Sequence, residues 1–378
     1  MKPHMHTWTD ENTGRQVRQL TAYPEGARVP YFRLPRNFPD GRVLVNGTHA
    51  TGSMAALDVE SGEIQFIPHE RGTLLKWRES DGCAWFYDAA TREVLERMLP
   101  DGVSKVIGRL APEVQGDVSE ITCDGRTLIG AKCECEPSDI KGLFGGDYRA
   151  LWRWIYRQRS AVIWSYDLVE NRYVDVVRMP EYNPQHIDAS PVDPTLFKYA
   201  QDGLAAFDQR AHAVRIDGTE WRMIRPQASG EWVHHEFWWP GAQLIGYKYL
   251  DRRGDATIHL LPWGEYAPRP LHLGIANLAG EEVYLSDPLD HYQSHLNVSP
   301  DAQFVTGEGT HDHSFASVTA FDLGSTKIAL QAMATIHTPY VPASAQGVET
   351  GVTKDARWVV FNDTAEGQMQ VCAVSLEL

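Results

Sequence analysis

A turn signal followed by a short apolar run recurs seven times along this chain of 378 residues. The turns are Asp40-Gly41, Asp81-Gly82, Asp124-Gly125, Asp193-Pro194, Gly241, Asp301-Ala302 and Asp355-Ala356. The runs that follow them cover residues 42–46, 83–87, 127–131, 195–199, 243–247, 303–306 and 358–362. Strand-rich units of roughly 40–60 residues are typical of the four-stranded blades of a propeller. The spacing therefore predicts an all-β fold, a seven-bladed β-propeller.

The two ends of the chain predict how the ring of blades closes. Residues 13–21 read as a strand that precedes the first unit, whereas the last unit, from about residue 346 to 378, is one strand short. The N-terminal strand can complete the last blade and so remove an exposed sheet edge. We therefore expect one domain that spans residues 1–378. The alternative is a pair of β-sandwiches whose turns share this spacing by accident.

The interval between the third and fourth turn signals is too long for a simple blade. Its pattern is helical, and we expect a short helical insertion at about residues 136–160. Arg149, Arg153 and Arg157 recur every four residues, which places three guanidinium groups on one face of such a helix. This face can border a groove for an anionic substrate, or it can be the solvated side of an amphipathic surface insertion.

The overall charge limits the class of partner. The net charge is −15, with 35 lysines and arginines against 50 aspartates and glutamates. Such a field repels nucleic acid and anionic membrane surfaces, so we expect neither as a partner. No apolar run approaches the roughly 18 residues that span a bilayer, and residues 1–14 lack the apolar core of a secretory signal. We therefore expect a cytoplasmic protein, whose oligomeric state is left open.

Polar residues open several units at similar positions. They are, from the fourth to the seventh unit, His186, His234, His235, His295, Gln346 and Glu349. The start of each innermost strand of a propeller lines the central channel, so side chains from different blades converge there. Consecutive residues of a regular strand face opposite sides, so we expect only one of His234 and His235 to face the channel. The other explanation for a histidine in an aromatic stretch is an ordinary structural role.

One stretch is similar to a known family. Gly230-Glu231, followed by His235-Glu-Phe-Trp238, resembles the Gly-Glu…His-Glu-Phe-Trp stretch of the oligogalacturonate lyases. Members of this family are seven-bladed propellers that cleave short pectic oligosaccharides by β-elimination. The resemblance implies that His235 is the catalytic base. Residues 204–210 and 215–218 are similar to the segment that carries the family's essential arginine, which implies that role for Arg210.

Further motifs extend the resemblance over nearly the whole chain. Ser294-His295-Leu296 and the strand at 305–309 resemble the family's metal-binding histidine and its Gly-Asp-Gly strand. Asn183-Pro-Gln-His186 resembles the family's Leu-Gly-His, and residues 13–21 resemble its opening strand. These likenesses imply that His295 binds a divalent metal and that His186 orients the substrate or assists proton transfer.

The last unit departs from the family pattern. The family carries a His-Pro-His-Pro-Ser-Phe run there, with two histidine ligands to a divalent metal that is usually manganese, and Gly347 and Glu349 stand at their positions. Carboxylates suit hard cations such as manganese or calcium, so we expect Glu349 to join His295 as a ligand. Gln346 lies close to the position of the family's ligand glutamine and is a further candidate. The side chains that could replace the missing histidine are His311, His313 and His337.

The chemistry implied by the resemblance is β-elimination of a uronide. It requires a base for the proton at C5, for which His235 is suited, and a cation for the adjacent carboxylate, for which Arg210 is suited. The expected substrate is a small anionic oligosaccharide, and the side chains expected to contact it are His186, His234, Arg149, Arg153 and Trp238. One alternative is a lyase for another uronide, such as a glucuronate- or rhamnose-containing oligosaccharide. The other is a propeller that binds sugar without catalysis, in which aromatic residues such as Trp238 stack on the sugar or only pack in the core.

Overall fold

A computed structural model of the protein describes most of the chain. The described residues are 5–31, 34–47, 54–68, 71–133, 160–179, 183–202, 209–254, 270–309, 313–338, 347–364 and 367–377. These residues form 28 β-strands and no α-helix. The strands are arranged in seven antiparallel sheets that follow one another along the chain. Each sheet is one blade of a β-propeller.

The chain begins with β1 (His6–Thr9) and β2 (Gln16–Gln19). Blade 1 contains β3 (Val43–Val45), β4 (Met54–Leu57) and β5 (Ile64–Ile67), and isolated bridges join Arg28 to Asn46 and Asn37 to Val43. Blade 2 contains β6 (Thr73–Trp77), β7 (Cys83–Asp88), β8 (Glu93–Met98) and β9 (Lys105–Arg109). Blade 3 contains β10 (Asp117–Ile121), β11 (Thr127–Cys133), β12 (Ala161–Asp167) and β13 (Arg172–Met179).

Blade 4 contains β14 (Asn183–Ala189), β15 (Leu196–Asp202), β16 (Ala211–Arg215) and β17 (Arg222–Met223). Blade 5 contains β18 (Glu231–Trp238), β19 (Leu244–Asp251), β20 (Leu271–Asn277) and β21 (Glu282–Leu285). Blade 6 contains β22 (Gln293–Val298), β23 (Phe304–Gly309), β24 (Phe315–Ala320) and β25 (Gln331–Thr335). Blade 7 contains β26 (Gly351–Val352), β27 (Trp358–Asp363) and β28 (Gln370–Ser375).

The predicted repeat and the predicted ring closure are both confirmed. Each of the seven apolar runs coincides with a strand: β3, the first strand of blade 1, and the second strand of each other blade, namely β7, β11, β15, β19, β23 and β27. Strand β2 pairs antiparallel with β28, so the N-terminus completes blade 7. Strand β1 adds a fifth strand to that blade, which the sequence did not predict. The expected helical insertion, together with Arg149 and Arg153, lies outside the described residues.

The core is divided into layers between the faces of neighbouring blades. Phe38 of blade 1 packs in one cluster with Trp77 and Phe86 of blade 2, and all three are almost fully buried. Ile163 of blade 3 and Phe197 of blade 4 belong to another such cluster. Apolar surface is thus removed from water on the faces of the blades. The described part of the chain has no helix long and apolar enough to cross a membrane.

Candidate active site

Backbone irregularities at the starts of innermost strands shape the site. The pairing register shifts between Gln185 and Asp188 in β14, and between His234 and Phe237 in β18. His186 and His235, inside these bulges, have positive φ angles of 49° and 52°. A bulge adds a residue to one strand and re-aims the side chains near it, and a positive φ is uncommon for residues other than glycine. The bulges therefore interrupt the alternation of side chains where the histidines lie.

The expectation that His234 and His235 face opposite sides of a regular strand is wrong. Their ring centroids are 4.1 Å apart, in an edge-to-face arrangement. The reason is the bulge that begins after His234, which breaks the two-residue period of the strand. The Nδ1 atom of His234 is buried and has no hydrogen-bond partner among the described residues. Burial, followed by the charge of Arg210, holds the pKa of His234 well below its usual range.

Glu236 connects two side chains that the sequence had selected. Its Oε2 atom accepts a 3.1 Å hydrogen bond from Nε of Arg210, and its Oε1 atom lies 3.0 Å from Nδ1 of His186. A carboxylate only accepts, so Nδ1 of His186 carries a proton and donates to Glu236. Burial alone would raise the pKa of Glu236, but Arg210 and His186 outweigh it and hold the pKa well below its usual range. The three groups form a charged cluster fixed from blades 4 and 5.

His235 is held in one tautomer by a backbone carbonyl of the next blade. Its Nδ1 atom lies 2.8 Å from the carbonyl oxygen of Ser294, which can only accept, so Nδ1 bears the proton. In the neutral ring Nε2 is therefore the unprotonated nitrogen. Burial, followed by the charge of Lys248, holds the pKa of His235 well below its usual range. The resting imidazole is thus neutral at physiological pH and able to accept a proton at Nε2.

A second cluster combines one histidine with two carboxylates from blades 6 and 7. Nδ1 of His295 lies 2.6 Å from Oε1 of Glu308 and 4.0 Å from Oε1 of Glu349. One ligand atom from each residue lies within 4.8 Å of the others. Burial alone would lower the pKa of His295, but Glu308 and Glu349 raise it. One nitrogen and two carboxylates form a donor set that fits a hard or borderline divalent cation such as manganese or calcium.

The two clusters lie close to one another in neighbouring blades. The rings of His235 and His295 are 4.5 Å apart between centroids. The ring of Tyr31 meets His295 at 5.2 Å and His186 at 6.4 Å, both edge to face. Side chains from blades 1, 4, 5, 6 and 7 thus converge on one end of the central channel. This convergence is the arrangement expected of an active site.

The remaining predicted residues are distributed differently. The Nε1 atom of Trp238 donates to the carbonyl of Asp188 over 3.0 Å. Its indole lines a cavity of about 460 Å³ near the far ends of the innermost strands. His313 stacks on His291 with ring centroids 3.4 Å apart, and His337 pairs with Asp363 over 2.7 Å. The predicted residues that lie outside the described part of the chain are Arg149, Arg153, Arg157, His311 and Gln346.

Four residues near the site were not selected from the sequence: Tyr31, Glu236, Lys248 and Glu308. Glu308 lies in the strand that resembles the family's Gly-Asp-Gly strand, and the matching acidic residue was a usable signal. Glu236 immediately follows the predicted base. Lys248 and Tyr31 come from apolar stretches of other blades, and only their position in the tertiary structure brings them near the histidines.

The fold and the site define the chain as a seven-bladed β-propeller with a histidine, arginine and carboxylate cluster at one end of its channel. Two solved oligogalacturonate lyases share this fold. One, in complex with manganese, aligns with a TM-score of 0.75 at 18% identity, covering 100% of this chain and 97% of its own. The other, from Vibrio parahaemolyticus, aligns with a TM-score of 0.76 at 17% identity, covering 99% and 97%. No protein-family model matches the sequence, and no curated protein matches it.

Proposed function

We propose that this protein is a lyase that cleaves uronic-acid-containing oligosaccharides, of the oligogalacturonate type, by β-elimination. The observation that carries the proposal is that His235 lies near the cluster of Arg210, Glu236 and His186. The tautomer of His235 leaves its Nε2 atom unprotonated. The likeness of the whole fold to oligogalacturonate lyases supports the same reaction class.

The base in this proposal is His235. Its Nε2 atom takes the proton from C5 of the uronide, and the electrons of that C–H bond form the double bond between C4 and C5. The bond from C4 to the sugar oxygen breaks, and the oxygen leaves with its electron pair. His235 gains one proton from C5, and the leaving oxygen gains one proton to become a hydroxyl group. No proton is gained or lost overall once His235 returns to its neutral form. An anionic substrate beside the ring favours the protonated imidazole, which raises the pKa of His235 as the proton is transferred.

The electrophilic group is Arg210. The C5 proton is weakly acidic while the adjacent carboxylate keeps its full negative charge, and a guanidinium paired with that carboxylate stabilises the enediolate that develops. Glu236 holds the guanidinium through Nε, so its orientation is set before substrate binds. The net charge of the protein is −15, which makes this local cation necessary for anionic sugar binding. His186 is hydrogen-bonded to the carboxylate of Glu236, and its role in this proposal is to orient the substrate.

The divalent metal implied by the resemblance would be held by His295, Glu308 and Glu349. Such an ion, when bound, supplies a second positive charge for the substrate carboxylate. Gln346 remains a candidate for a further ligand, and His234 for a contact to the sugar.

The experiment is an ultraviolet absorbance assay for the unsaturated product on di- and trigalacturonate, with and without manganese. We expect product from the wild type and a loss of at least a hundredfold in His235→Ala. The matched control is His272→Ala, since His272 also lies against a backbone carbonyl, that of Ser286, in the same blade but outside the site. This control should retain activity. Equal activity in His235→Ala and wild type would refute His235 as the base.

The same assay separates the alternatives. Product from glucuronate- or rhamnose-containing oligosaccharides alone would indicate a lyase for another uronide. Calorimetric binding of trigalacturonate without turnover of any uronide would indicate a propeller that binds sugar and catalyses nothing.

A further inference from the structure

Lys248 crosses from blade 5 to blade 6 beneath the proposed base. It lies on β19 directly opposite His234 in the strand pairing, and its side chain is 1% exposed. Its Nζ atom donates to the carbonyl oxygens of Ser294 over 2.7 Å and Gln293 over 3.3 Å, and to the hydroxyl of Tyr292 over 3.1 Å. An ammonium group has three N–H donors, and three oxygens of one short segment surround this one.

The segment that Lys248 binds also contacts His235 and continues into the candidate metal cluster. The carbonyl of Ser294 accepts hydrogen bonds from both Nζ of Lys248 and Nδ1 of His235. A carbonyl oxygen has two lone pairs, so both bonds can form at once. The next residue, His295, belongs to the candidate metal cluster. One buried lysine thus anchors the backbone between the base and a metal ligand.

We propose that Lys248 is a positioning residue that fixes the Ser294 carbonyl as the acceptor for His235, so that His235 keeps its proton on Nδ1 and presents Nε2 as the basic atom. The inference rests on the proposed function in one respect only, namely that Nε2 of His235 takes the proton from the substrate. Without the lysine, the segment from Tyr292 to Ser294 loses the three hydrogen bonds that it receives from the ammonium group. The carbonyl is then free to turn away, and His235 can populate both tautomers.

The tautomer is measured directly by ¹⁵N–¹H long-range correlation NMR on protein labelled at histidine. The His235 signal is assigned by its disappearance in His235→Gln. We expect Nδ1–H in the wild type and a mixture of tautomers in Lys248→Met, which matches the length of the side chain without a donor. Lys248→Gln keeps a donor and should restore most of the Nδ1–H form. Ser294→Ala keeps the backbone carbonyl and should leave the tautomer unchanged.

Kinetics on a confirmed uronide provide the second readout. We expect Lys248→Met to lower kcat about tenfold or more with KM changed less than about twofold, because the wrong tautomer blocks proton transfer and leaves substrate contacts intact. Lys248→Gln should recover part of kcat. An equal fall of kcat in Lys248→Met and Lys248→Gln would indicate that both substitutions disturb the fold around the site and would argue against a role in the tautomer. Circular dichroism and thermal unfolding check that each variant is folded.

The outcomes separate this inference from the proposed function. A wild-type His235 with its proton on Nε2, or a folded Lys248→Met that keeps pure Nδ1–H, overturns the inference whatever the activity. A shifted tautomer in Lys248→Met, together with a wild type that turns over no uronide, supports the inference and refutes the proposed reaction.

Discussion

The Nε atom of Arg210 donates a 3.1 Å hydrogen bond to Oε2 of Glu236, and both side chains are buried. The same carboxylate accepts a hydrogen bond from Nδ1 of His186. One acidic group thus fixes the positions of two side chains of the neighbouring blade. The negative charge of Glu236 balances the guanidinium before any substrate enters the channel. The pair therefore stabilises the folded protein and also fixes the orientation of the guanidinium in the site.

Replacing Glu236 by glutamine should destabilise the protein and reduce activity. The substitution leaves the buried guanidinium of Arg210 without its counter-charge, and breaking a buried pair in this way costs about 3 kcal/mol. Urea unfolding and the lyase assay measure the two effects. The control is Glu170→Gln, which removes an exposed partner of Arg126 and should cause no measurable change. Similar stabilities of Glu236→Gln and the control would show that the buried pair is not important.

Metal affinity should depend on Glu308. We expect calorimetric titration to show manganese binding to the wild type and at least tenfold weaker binding to Glu308→Gln, because the variant loses one of two carboxylates in the cluster. Glu231→Gln is the matched control, since Glu231 is also buried but pairs with Arg225. Unchanged affinity in Glu308→Gln would place the ion elsewhere.

His212 should make the fold less stable in mild acid. Its ring lies between Tyr199 and Trp221, with centroids 5.1 Å and 5.3 Å away, and burial lowers its pKa from 6.5 to about 4. A histidine whose folded pKa is depressed contributes stability that is complete above the unfolded pKa. That stability is lost as the pH falls from about 6.5 to about 4, because the unfolded chain binds the proton first.

The expected loss from His212 between about pH 7 and pH 5 is on the order of 2 kcal/mol. Urea unfolding at both pH values measures it. His212→Phe keeps a ring and removes the titration, so this variant should lose less stability than the wild type over the same interval. Identical losses in the two proteins would argue against a neutral, buried His212.

The repeated Asp-Gly turns should differ in their tolerance of a side chain. Gly41 and Gly125 occupy equivalent turns with φ angles of +92° and +72°. A Cβ at Gly41 would meet nothing within 4 Å, whereas one at Gly125 would lie 2.3 Å from Nε1 of the buried Trp85. Alanine at either position adopts an unfavourable left-handed conformation, at roughly 1–2 kcal/mol.

Gly125→Ala adds a steric conflict with Trp85, so we expect it to destabilise the protein by a further 1–3 kcal/mol or so relative to Gly41→Ala. Comparison of the two free energies of unfolding in urea isolates this conflict. Equal losses would mean that the indole of Trp85 moves aside without cost.

Local signals made most of the fold predictable. An Asp-Gly turn such as Asp81-Gly82 and the apolar run after it depend on residues close in sequence, so one strand of each of the seven blades could be placed. The N-terminal strand β2 was predicted from the missing partner in the last blade, which is a requirement of edge closure. Strand β1 was not predicted, because His6–Thr9 is a mostly polar, exposed segment that follows no turn signal.

The site was predicted in part. The family motif pointed to His235, Arg210, His186 and His295, and the structure places these side chains at one end of the channel. The bulge that brings the rings of His234 and His235 together was missed, because a regular two-residue period was assumed. The substrate contact expected of Trp238, which lines a cavity of about 460 Å³, stays a prediction.

The sequence by itself determined the number of blades, the position of one strand in each blade and the residues of the histidine motif, because turn propensity and apolar alternation act over a few neighbouring residues. Only the tertiary structure decided which charges meet. Glu236 reaches Arg210, and Glu308 reaches His295, across strands or blades. Lys248 reaches Ser294 from 46 residues away. Buried ionic contacts depend on strand register and on bulges, and these are set by the packing of the whole ring rather than by any single segment.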